Sequence, residues 1–129
     1  MSVQVPEPLF SISKEMIENC EVVSLHGELD MLGAPELAEA LNAVDGSGRQ
    51  VIVDLTGLSI IDSHGLHALV SARPRGERVI LVCPDGNVSR VLEIVQVGQA
   101  LRVYKQLDDL LAELREQSGQ DGHDPAVLQ

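Results

Sequence analysis

The sequence predicts an α/β domain built on a mostly parallel sheet. Three observations predict it. Strand-like and helix-like stretches alternate along most of the 129 residues. Two strand-like stretches, VIVDL (Val51 to Leu55) and VILVC (Val79 to Cys83), are apolar at nearly every position. That is the pattern of strands covered on both faces. The helix-like stretches each carry a single apolar face, which needs a sheet to pack on.

Taken in order, residues 1 to 8 contain two prolines and little pattern, and read as a loose start. LFSIS (Leu9 to Ser13) alternates and predicts an edge strand. CEVVSLH (Cys20 to His26) is a second strand, with a hairpin region at ENCE, and GELD (Gly27 to Asp30) ends it. A helix follows. Pro35 suits its first position, where no amide donor is needed. Leu37, Ala40, Leu41 and Val44 form its apolar face, and DGSG stops it. After VIVDL comes a short helix from Ser63 to about Ala72, with Leu66, Leu69 and Val70 facing inward. Pro74 and Gly76 close it. VILVC is the next strand, and PDGN turns into a helix with Val88, Val91, Leu92 and Val95 on one face. LRVY (Leu101 to Tyr104) is a short last strand. The last helix carries Leu107, Leu110, Leu111 and Leu114, with Asp108 and Asp109 in its first turn and Arg115 in its last, matching the helix dipole. From Gln117 to Gln129 the chain is polar and reads as a mobile tail. One domain, residues 9 to 116, is expected.

Composition narrows the function. With 44% hydrophobic residues the chain can bury a core. Its formal net charge of -11 repels phosphate backbones and anionic membranes, which argues against a nucleic-acid partner. Phe10 and Tyr104 are the only aromatics of the Phe, Tyr and Trp class, so there is no platform for base stacking. Cys20 and Cys83 lie far apart in apolar runs and read as reduced core thiols, not a disulfide or a metal site. No leader pattern and no spanning apolar run is present, so a cytoplasmic chain without membrane insertion is expected. No Gly-Lys-Ser or Gly-Lys-Thr phosphate loop occurs, and no cofactor is expected.

The stretch IIDSHGL (Ile60 to Leu66) puts Asp62 and Ser63 where a strand turns into a helix. Either residue can cap the first amides of that helix. The same place suits a phosphorylation switch. A phosphoryl group on Ser63 would sit beside unpaired helix N–H groups and add nearly two negative charges. A hydrolase elbow is a weaker fit. It wants glycine on both sides of the serine, and Gly65 is matched by Ile61 on the other side. Its base would have to come from His26, His64 or His67, with Asp30 or Asp54 as orienter. His64 and His67 have the spacing of a pair of metal ligands, but no third ligand is indicated.

LHGELDMLGAPEL, followed by VIVDLTGLSIIDSHGLHAL and later by VSRVLEIVQVGQALRVYKQLDDLL, resembles a STAS domain. The likeness is to the free-standing bacterial anti-sigma factor antagonists, and it covers roughly Leu9 to Leu114. The resemblance implies a small, mostly parallel sheet with one antiparallel strand at its start, flanked by about four helices. It implies a regulatory binding protein that is not an enzyme and is a monomer when free. Its partner would be an anti-sigma factor that is a serine kinase, and binding would release a sigma factor. Phosphorylation of Ser63 would switch the antagonist off, and a serine phosphatase would reset it. Asp30, Asp62, His64 and Gly65 would surround the phosphosite. The chain departs from the pattern after Ser63, where such antagonists often carry Ser or Thr and this one carries His64. The helix that follows is short. His64, His67 and Ser71 form its outer, partner-facing side, with Arg73, Arg75 and Arg78 as a basic patch at its end. The competing expectation is a STAS subunit of another assembly, a lipid-transport accessory or a signalling scaffold, in which Ser63 is a contact or a cap.

Overall fold

The structure is a computed structural model that describes residues 10–44, 50–71, 79–94 and 102–123. The elements run β1 (Phe10–Ile17), β2 (Cys20–Leu29), α1 (Ala34–Asn42), β3 (Gln50–Ile61), α2 (Ser63–Ser71), β4 (Val79–Val82), α3 (Asn87–Ile94), β5 (Arg102–Tyr104) and α4 (Leu107–His123). They form one five-stranded sheet in the order β1-β2-β3-β4-β5. β1 is antiparallel to β2, and every other pair is parallel. The α/β class, the single antiparallel edge strand and the four helices are as the sequence predicts.

Topology decides where the helices go. Each parallel step moves in the same direction across the sheet, and crossovers between parallel strands are right-handed. α1, α2 and α3 therefore share one face. The alternation of side chains along the strands supplies both cores. Val23, Leu25, Val51, Val53 and Leu81 point to one face and pack with Leu37, Leu41, Leu69, Val88 and Leu92. Val22, Ile52, Ile80 and Val82 point to the other and pack with Leu110 and Leu111 of α4. Among the described residues, that second face has a single helix over it.

Several extents differ from the sequence expectation. β1 continues past Ser13 to Ile17 because its polar SKEM stretch pairs with Glu21 to Ser24 of β2. A two-residue turn closes that hairpin, with Glu18 at φ 50 and Asn19 at φ 68. Two left-handed residues give the turn whose twist matches a hairpin. β2 and β3 also run on, to Leu29 and Ile61. Their pairing slips twice, between Ser24 and His26 and between Gly27 and Glu28, and Gly27 takes φ 94 there. These bulges let Thr56 and Gly57, which look like a break, stay in the strand. Pro35 falls one place later than expected, since α1 starts at Ala34. The second helical amide also lacks an intrahelical acceptor, so nothing is lost. α4 reaches His123, past the Gln117 boundary expected for a tail.

Both cysteines are buried and free. Burial pushes the Cys83 thiol up to about 11, and it also raises Cys20. The loose start, the DGSG stop, Pro74, Val95, Leu101 and the cluster of Arg73, Arg75 and Arg78 lie outside the described residues.

Candidate functional site

The end of β3, the turn after β2 and the start of α2 meet at Asp62. Asp62 is the cap of α2: its Oδ1 accepts the Gly65 N–H at 2.9 Å, and its carbonyl accepts the Leu66 N–H at 2.9 Å. The other oxygen, Oδ2, accepts the N–H of Met31 at 3.1 Å. One carboxylate thus closes the helix and ties it to the turn before α1. The Asp62 N–H completes the joint by donating to the Leu29 carbonyl at 3.0 Å. The Gly65 N–H holds the Asp62 carboxyl below the ordinary carboxylate range. Partial burial opposes this, while the charge of His64 and the N–H groups of His64 and Met31 reinforce it.

Ser63 is therefore not the cap. It is the first residue of α2, it is exposed, and its hydroxyl makes no hydrogen bond among the described residues. The helix N–H groups expected to receive a phosphate on Ser63 already point at Asp62.

Asp30 forms a turn of its own. Its Oδ1 accepts the N–H groups of Leu32 at 3.0 Å and Gly33 at 3.2 Å, and its carbonyl accepts those of Gly33 and Ala34. It shapes the entry to α1, and Met31, the next residue, carries the link to Asp62. Gly65 has a packing reason to be glycine. A Cβ there would lie 2.5 Å from Leu29 Cγ and 2.6 Å from the Leu29 carbonyl oxygen.

His64 places Nδ1 3.7 Å from Asp62 Oδ2, and its side chain is 58% exposed. His67 contacts the Ser71 hydroxyl at 3.3 to 3.4 Å, one turn further along α2. Among the described residues no histidine bonds to Ser63, the contact by which a base would activate an elbow nucleophile. Among the described residues no three His, Cys, Asp or Glu side chains gather as a metal site, and no helix is long and apolar enough to cross a membrane.

Ser63, His64, His67 and Ser71 line one wall of an open groove of about 640 Å³. The facing wall is α1, through Ala34, Pro35, Ala38 and Asn42, and Met31 sits at its end. Met31 is 57% exposed and Leu32 76% exposed beside it. Sequence reasoning misses this α1 wall and Met31. One signal was available: Ala34 and Ala38 are small residues four apart, next to the apolar face, where a neighbouring helix leaves an open floor.

The STAS domain family model matches residues 11–110, and the chain belongs to that family. An anti-sigma factor antagonist from Mycobacterium paratuberculosis is similar in structure at 25% identity and TM-score 0.74. The match covers 82% of this chain and 94% of that one. The antagonist SpoIIAA in its unphosphorylated form is similar at 18% identity and TM-score 0.56, with 82% and 98% covered. The Bacillus SpoIIAA in its phosphorylated form is similar at 19% identity and TM-score 0.52, with 81% and 99% covered.

Proposed function

We propose that this chain is an anti-sigma factor antagonist switched by phosphorylation of Ser63. Its partner is an anti-sigma factor with serine kinase activity, and a serine phosphatase reverses the modification. One observation carries the reading. Asp62 takes the cap and leaves the neighbouring Ser63 hydroxyl exposed, unbonded and on the wall of the α1–α2 groove. The antagonists of similar fold, one of them known in a phosphorylated form, support the same reading.

Magnitudes give the direction of the switch. A helix N-terminus offers about half a positive charge, and here the Asp62 carboxylate already offsets it. A phosphate brings about 1.5 to 2 further negative charges. Repulsion therefore wins over amide capture, and the groove wall becomes strongly anionic without refolding. A partner surface fitted to the uncharged serine would lose affinity.

Phosphotransfer and binding assays with the cell's own anti-sigma factor kinase test this. Wild type should accept phosphate and Ser63→Ala should not, while both bind the kinase. Ser63→Glu should bind at least about tenfold more weakly. Binding of Ser63→Glu equal to wild type would contradict the switch and favour a STAS subunit of another assembly.

A further inference from the structure

We infer that Met31 is an oxidation site, where oxidants of the peroxide class convert its thioether to a sulfoxide and so weaken binding at the α1–α2 groove. The inference rests on the proposed function, which makes that groove a partner surface. The Met31 side chain is 57% exposed and lines the groove together with Ser63. Its backbone is pinned, because its N–H donates to the Asp62 carboxylate that caps α2. The turn that carries the thioether therefore cannot move off the groove without breaking a bond of the cap residue. In the reaction the sulfur lone pair attacks one oxygen of hydrogen peroxide, so that an S–O bond forms and the O–O bond breaks. The sulfur gives up two electrons, and the departing hydroxide takes the remaining proton and leaves as water.

The other sulfurs of the described residues are shielded or lie elsewhere. Cys20 and Cys83 are buried, and burial raises both thiols, so little thiolate is present for peroxide to meet. Met16 is 52% exposed, nearly as open as Met31, but it pairs with Glu21 near the start of β2. Met31 follows the end of that ten-residue strand, so the two methionines lie at its opposite ends. Two thioethers of similar exposure thus differ in one respect, that Met31 lines the groove. The facing wall there is apolar through Ala34, Pro35 and Ala38. A partner surface fitted to a thioether gains apolar contact, whereas a sulfoxide brings a polar S–O group that must give up its water. An unpaired polar group buried in this way weakens binding roughly five- to a hundredfold. Unlike a phosphate, the added oxygen carries no net charge, and a methionine sulfoxide reductase removes it.

Hydrogen peroxide acting on the full chain tests this. In the free protein Met16 and Met31 should gain oxygen at comparable rates, read by mass spectrometry of the tryptic peptide Glu15 to Arg49, whose fragments separate the two. With the anti-sigma factor bound, oxidation of Met31 should slow at least about threefold while that of Met16 should not. Once the oxidant is removed, treated wild type should bind the anti-sigma factor at least about fivefold more weakly than untreated. Treated Met31→Leu, a volume-conserving change, should keep its untreated affinity, and treated Met16→Leu should lose as much as wild type. Reductase treatment should restore wild type. An equal loss in Met31→Leu, full binding by chain oxidised at Met31, or equal oxidation of Met31 in the free and bound states would overturn the inference. Failure of the untreated chain to bind an anti-sigma factor would instead overturn the proposed function.

Discussion

Asp62 and Ser63 are both good capping residues, and their order in the chain does not say which one caps. The geometry assigns the task to Asp62, because Leu29 at the end of β2 and Met31 in the turn after it fix its backbone and its second oxygen. That division is what makes Ser63 available. Gly65 guards the same joint. Alanine there gains about 1 kcal/mol of helix propensity. Its methyl, however, meets a carbonyl already engaged with the Asp62 N–H. The collision wins, since α2 can retreat only by breaking its own cap. Gly65→Ala should be destabilised by about 1–3 kcal/mol in urea unfolding. An unchanged midpoint would mean that the helix and β2 are not held this closely. The motif Asp-Ser and the glycine were legible in the sequence. Their roles were not, because each depends on Leu29 and Met31, more than thirty residues away.

Among the elements, β3 and β4 were the most legible, because a strand buried on both faces cannot hide its composition. The second half of β3 was not, since exposed Thr56, Gly57, Ser59 and Ile60 interrupt the pattern while bulges in β3 itself, each one extra residue against β2, keep the pairing. The groove was invisible for a different reason: it belongs to two helices together, α1 and α2, brought side by side by two same-direction crossovers. Among the described residues α4 alone covers the far face, so each of its anchors matters. Leu110 is fully buried against that face, among Val22, Ile52 and Ile80. Leu110→Ala should cost about 2–5 kcal/mol, read by chemical denaturation with an unchanged m-value. A cost under about 1 kcal/mol would show that the sheet's second face does not depend on α4.

At the scale of the whole molecule, acid should act through two particular carboxylates. The Gly65 N–H depresses Asp62, and the hydrogen bond from Arg115, Nε to Oε1 at 2.7 Å, depresses Glu18 and so ties the β1–β2 turn to α4. A carboxyl with a lowered folded-state value stabilises the fold above its unfolded value. That contribution is lost as pH falls through the folded one. Stability should therefore be level above about pH 5 and fall through about pH 4 and below. The net charge of -11 shrinks over the same range, which relieves self-repulsion and works in the opposite direction. Thermal melts from pH 7 to pH 3 should show Tm dropping more steeply in wild type than in the Glu18→Gln, Asp62→Asn double variant. Parallel profiles would place the acid sensitivity elsewhere.

The central claim is that Ser63 is a phosphoacceptor. Its most direct test is mass spectrometry of the protein from its own cells, before and after stress. Trypsin releases Gln50 to Arg75, because Pro74 protects the bond after Arg73. Fragmentation must separate Ser63 from Thr56, Ser59 and Ser71 on that peptide. The account predicts a phosphoryl group on Ser63 whose occupancy changes with conditions. A peptide that stays unmodified under every condition, or carries phosphate only on another residue, would contradict it.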